Sequence, residues 1–183
     1  MAALLPVLAA AALYGYTSQN RDVALTKASV DGRKYLVLHR TDAASAANLL
    51  ATVRSDLVTL IEHVVATHPG DDDIARLKQK FNPDAMSEGA PGSGYTSYTV
   101  DKGARVVLCI RQTNGDFVPK NVILYVAIHE LAHIMTSSIG HTAEFWSNNS
   151  RLLKAAQAIG VYTPQDFSQS PQPYCGMHIG GNG

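Results

Sequence analysis

Cysteine is nearly missing from this chain: Cys109 and Cys175 are the only two in 183 residues. Two are too few for the disulfide framework that replaces a core in small secreted domains. An excess of one charge is missing too, with 15 Lys and Arg against 15 Asp and Glu. Nucleic-acid binders announce themselves by a basic surplus, so no clear nucleic-acid signature is present. No internal repeat is visible, which excludes a solenoid or a propeller. Long apolar runs are also scarce. The uncharged stretch at residues 2–16, AALLPVLAAAALYGY, falls short of the roughly 20 residues that span a bilayer.

That stretch has no basic residues before it and no convincing cleavage site, so a cleaved signal peptide is not expected. It reads as an Ala-rich helix packed on the domain or as a short membrane anchor, and its lack of a polar face favours the anchor. Arg21 and Lys27 follow it, which places the rest of the chain in the cytosol by the positive-inside rule. Without an anchor the expected location is simply cytoplasmic.

What is present suffices for one domain with a real core. The expected organisation is an apolar segment at 1–20, a domain at 21–162 and an irregular tail at 163–183. Residues 23–30 and 33–40 flank Asp31-Gly32 and read as a β-hairpin. His39 falls on a sheet surface there. Thr41-Asp42 can cap a helix running to residue 67, with Ala47, Leu50, Val53, Leu57, Leu60, Ile61 and Val64 as its buried stripe. His63 and His68 read as solvated or capping residues. Asp71, Asp72 and Asp73 open a short amphipathic helix and favour its positive end. Residues 82–94 are a loop by composition, and strands are expected at 95–100 and 104–111. The run Val106 to Ile110 is apolar throughout, as in a strand buried on both faces.

The stretch around which the chain is organised is NVILYVAIHELAHIMTSSIGHTAEF, beginning at Asn121. A helix apolar all round is a buried helix. Asn121 is a good N-cap and Gly140 a plausible stop. Within it stands His129-Glu130-Leu131-Ala132-His133. On a helix, His129 and His133 share one face and can share one metal ion, with Glu130 beside it as a base for a metal-activated water. Two imidazoles and a carboxylate buried by accident would cost on the order of several kcal/mol without partners. His141, just after the Gly140 break, is the first candidate for a third ligand, and Glu144 the next. Thr142 can cap a further helix to residue 159, and Trp146 reads as a core residue more than a support for His141.

HELAH followed by Gly140-His141-Thr142-Ala143-Glu144-Phe145-Trp146 resembles the zincin metallopeptidases of the WLM and SprT-like groups. WLM patterns separate the second and third histidines by fewer residues; the GHxxEF portion is closer to the SprT-like proteins. More loosely, the whole chain is similar to WLM-like proteins of large DNA viruses. The resemblance implies an α+β, zincin-like fold, with a small antiparallel sheet packed on a buried HExxH helix and further helices. It also implies a sheet edge beside the substrate cleft and a peptide or protein substrate.

The expected function is zinc-dependent peptide hydrolysis. Zn²⁺ would be held by His129, His133 and His141, with Glu130 as general base; Tyr95, Tyr98 and Tyr125 are equal candidates for stabilising an oxyanion. The alternative is a non-catalytic zinc-containing binding module or a membrane-associated interaction protein using residues 2–16. In the tail, Pro171 to His178 resembles the cysteine-switch propeptide of matrix metalloproteinases, which implies a Cys175 thiolate on the zinc. The other readings of Cys175 are packing against the domain, or pairing with Cys109 if oxidised.

Overall fold

The computed structural model describes residues 22–90 and 96–180. The apolar segment at 2–16 and Tyr95 lie outside the described residues. Among those described, no helix is long and apolar enough to cross a membrane.

The chain opens with the expected hairpin, β1 (Val23–Lys27) and β2 (Lys34–Leu38), paired antiparallel. Its turn is set by Gly32 at φ +73° and by Asp31, whose carboxylate accepts the Arg33 N–H at 2.9 Å. His39 is exposed just past β2. Helix α1 (Ala43–Thr67) buries every residue of the expected stripe. Asp42 stands at its N-cap position but makes no capping hydrogen bond, because its carboxylate is drawn to Arg111. Helix α2 (Asp72–Lys80) is capped by Asp71, which accepts from the N–H groups of Asp73 and Ile74.

Residues 82–94 depart from a simple loop, since β3 (Met86–Glu88) lies within them and is wholly buried. It pairs parallel with β2 on one side and with β5 (Arg105–Leu108) on the other. Strand β4 (Tyr98–Val100) pairs antiparallel with β5 and forms one edge of a five-stranded sheet in the order β1-β2-β3-β5-β4. The small sheet is therefore mixed, with two antiparallel hairpins joined through β3. Glu88 survives in this interior because the fully buried Arg111 donates to it at 2.7 Å and bridges it to Asp42. The β4–β5 turn needs Gly103: its φ is +113°, and a Cβ there would stand 2.6 Å from the Lys80 carbonyl oxygen.

Helix α3 (Lys120–Met135) runs through the centre, buried along most of its length, against α1, α2, the sheet and α4 (Ala143–Ala158). It begins one residue before Asn121, after Pro119, and ends at Met135, ahead of Gly140. Asn121 is not the cap. Its amide instead exchanges two hydrogen bonds with the Thr163 backbone, at 2.8 and 2.9 Å.

The tail expected to be irregular is so over residues 163–171, but residues 172–179 are ordered into strands. Strands β6 (Gln172–Tyr174) and β7 (Met177–Ile179) form a third hairpin, a two-stranded sheet of its own, across Cys175-Gly176, both at positive φ. A disulfide joins Cys175 to Cys109 beside β5. Tyr174, 1% exposed, reaches Ser97 Oγ at 2.6 Å, and Gln112 donates to the Pro173 carbonyl oxygen at 2.6 Å. These ties fasten residues distant in sequence to the β4–β5 region.

Candidate metal centre

Helix α3 places His129 and His133 one turn apart, with ring centroids 4.9 Å from each other. Beyond Met135 the backbone leaves the helix at Thr136 and returns through Gly140 at φ +84°. This brings the His141 ring to 5.0 Å from each of the other two. The Nε2 atoms of His129 and His141 are 3.1 Å apart, and one nitrogen from each of the three rings lies within 4.8 Å of the others. Tetrahedral zinc with bonds of about 2.0–2.1 Å puts its ligand nitrogens about 3.3 Å apart. The donor set therefore suits zinc in kind and nearly in spacing. Among the described residues this is the one such group of ligating side chains.

Phe145, fully buried on α4, packs against all three imidazoles at centroid distances of 4.8, 4.3 and 4.7 Å. Its apolar platform limits how far the rings can turn away from one another. Trp146 is half-buried and leans on His141 at 5.4 Å, so it flanks the site as well as the core margin. Glu144 is absent from the cluster. Its two oxygens accept from Ser137 and Ser138.

Burial, then the neighbouring His133 and His141, pushes the His129 imidazole down to about 4. His133 is lowered likewise, by burial first and then by His141 and Lys102. Both shifts favour the neutral ring, the form that offers a lone pair to a metal. Glu130 is 7% exposed, and burial raises its carboxyl to about 7 against the opposing effect of a hydrogen bond from the Thr99 backbone. That N–H belongs to the edge strand β4, so the sheet orients the carboxylate.

The histidines and Glu130 line a cleft of about 440 Å³. One wall is α3, with Tyr125 and Val126 a turn before the motif; a second is formed by Thr96 and Ser97. The third is the β6–β7 hairpin, through Tyr174 and residues 177–180. Of the tyrosine candidates, Tyr125 lines the cleft and packs at a tilt against Phe167, with ring centroids 4.6 Å apart, while Tyr98 is not among its lining residues. The cysteine-switch reading of Cys175 is overturned. Its sulfur is bonded to Cys109, leaving no thiolate for a metal. His63 lies half-buried on α1, and His68 ends that helix, its ring 2.9 Å from Thr67 Oγ1. Neither belongs to the group of ligating imidazoles.

Three participants escaped the sequence reading: the Thr99 backbone, the hairpin wall and Glu144 as a tether. Only the hairpin left a signal, in the pairing of two lone cysteines.

Residues 74–179 match the family model described as the WLM domain. The chain is 27% identical over 182 residues to uncharacterized protein R325 of Acanthamoeba polyphaga mimivirus, covering 97% of this chain and 92% of that protein. Its fold is similar to crystal structures of Wss1. The Saccharomyces cerevisiae protein superposes with a TM-score of 0.53 at 18% identity, over 68% of this chain and 87% of that one. The S. pombe protein does so with a TM-score of 0.51 at 24% identity, over 68% and 91%.

Proposed function

The chain belongs to the WLM domain family of zincin-like metallopeptidases, and from that premise we propose that it is a zinc-dependent peptidase acting on peptide or protein substrates. The observation that carries this reading is the convergence of three imidazoles on one point, in a cleft that Glu130 also lines. His129, His133 and His141 would hold the ion. Bound there, zinc would supply Lewis acidity, to polarise a peptide carbonyl and to acidify a water.

The chain's own groups do the rest. Glu130 would take onto its carboxylate the proton released by the attacking water and hand it to the amine nitrogen as the peptide C–N bond breaks. The Thr99 N–H holds that carboxylate in a fixed orientation, and the surrounding burial strengthens its interactions with charge. The neutral state of His129 and His133 keeps their lone pairs free for the metal. Phe145 keeps the three rings mutually aimed. A substrate would lie between α3 and the β6–β7 hairpin, close to the edge strand β4.

The decisive experiment compares zinc-loaded wild type with Glu130→Gln on an unstructured protein such as casein. Zinc content should be equal in the two, and the rate should fall by about 10²–10⁴ in the variant, the usual contribution of a positioned base. Equal rates, or no cleavage by the zinc-loaded wild type, would sink the hydrolytic reading.

A further inference from the structure

The link between His133 and His141 is seven residues long, 134–140, and it leaves the helix after only two of them. The third imidazole therefore hangs on non-helical chain. Ile139 is 89% exposed, and nothing crowds Gly140. Something must hold this link if His141 is to stand where it does.

The tether is made from two sides. Glu144 Oε1 accepts from Ser137 N–H and Oγ–H, both at 2.8 Å. Its Oε2 accepts from Ser138 N–H at 3.3 Å and from Ser138 Oγ–H at 2.7 Å. From the other side Lys102 Nζ donates to the carbonyl oxygens of Thr136, Ser137 and Ser138 at 3.1, 3.0 and 3.3 Å. Glu144 sits in the first turn of α4, where a carboxylate is favoured by the helix dipole, and the same turn contributes Phe145 beneath the rings. One helical turn thus fixes both the link and the platform.

We propose that Glu144 is the positioning residue for His141: by fastening Ser137 and Ser138 it pre-arranges the third imidazole for the metal. The inference rests on the reading that the three histidines hold zinc. Ordering a mobile link would otherwise be subtracted from the binding free energy. Residues that orient metal ligands typically contribute 10–100-fold to metal affinity.

The test is a double-mutant cycle on zinc affinity, measured by competition between the full chain and a chromophoric chelator. Glu144→Ala should weaken Zn²⁺ binding by about 10–100-fold. In a His141→Ala background the same substitution should have almost no further effect, because the side chain it positions is gone. Glu144→Gln, which keeps one acceptor oxygen, should recover part of the loss. If Glu144→Ala does not fold, Ser137→Ala with Ser138→Ala removes two of the four donors and enters the same cycle.

Unchanged affinity in the variant overturns the proposal. So does an equal loss with and without His141, which would mean that Glu144 acts through general stability. Failure of the metal reading looks different: there, His129→Ala and His133→Ala would bind zinc as tightly as wild type.

Discussion

Removing the Cys109–Cys175 bond should destabilise the domain substantially, and the size of the loss follows from topology. The bond closes a loop across a sequence separation of 66 residues. Chain-entropy arguments assign such a loop about 15 cal/mol/K, or about 4 kcal/mol at 25 °C. That figure is a ceiling for the entropic part, since compact unfolded chains have less entropy to lose; the small cavities left by the sulfurs act the other way and add to the loss. For a domain of this size about 1 kcal/mol shifts Tm by 2–4 °C, so the expected drop is about 8–15 °C.

Because Cys109 is buried, the cleaner perturbation is the double variant Cys109→Ala with Cys175→Ala rather than reductant alone. Circular dichroism melts and urea titrations of wild type and variant give the two stabilities. Wild type should be reductant-sensitive once mass spectrometry shows both thiols free, and the variant should not respond. The hairpin should stay docked in the folded variant, since Tyr174 and Gln112 still hold it. A thiol-modifying reagent should not activate peptide cleavage, because Cys175 does not sit on the histidines. A variant melting within a degree or two of wild type would refute the reasoning, since the tail would then contribute nothing through its covalent anchor.

Arg111→Met leaves the Glu88 carboxylate buried without its cation and should cost about 3–5 kcal/mol by urea denaturation; a loss below about 1 kcal/mol would show that Glu88 finds water or a proton cheaply. Asp71 caps α2, and the Ile74 N–H, with Arg151 behind it, holds its carboxyl below the usual range. A depressed folded pKa means stability present above the unfolded value of about 3.9 and lost as pH falls through the folded value. Asp71→Ala should therefore lie about 1 kcal/mol below wild type near neutrality, and the gap should close below about pH 4. A gap that stays constant down to pH 2 in urea titrations would refute the assignment.

The features legible in the sequence are those whose cause lies within a turn or two of helix. The apolar stripe of α1 recurs at helical spacing, and each of its members is buried. The pairing of His129 with His133 follows from the pitch of a helix. Asp71 and Thr142 cap their helices because an N-cap needs only an N–H two or three residues ahead. His141 was readable for a related reason, as the first histidine after a glycine that permits the chain to turn.

What only the tertiary structure decided depends on partners that local pattern does not reveal. Met86-Ser87-Glu88 looks like a loop, and it is a buried strand because Arg111, 23 residues away, supplies the counter-charge that makes a carboxylate tolerable there. The polar, proline-bearing tail folds because Cys109, Ser97 and Gln112 are waiting for it; alone, a two-stranded hairpin is marginal in water. Asn121 reads as a cap, yet its amide serves Thr163. Glu144 reads as a spare ligand, yet two serines consume its oxygens. In each case the side chain satisfies the strongest partner that folding brings within reach, and sequence adjacency alone does not say which that will be.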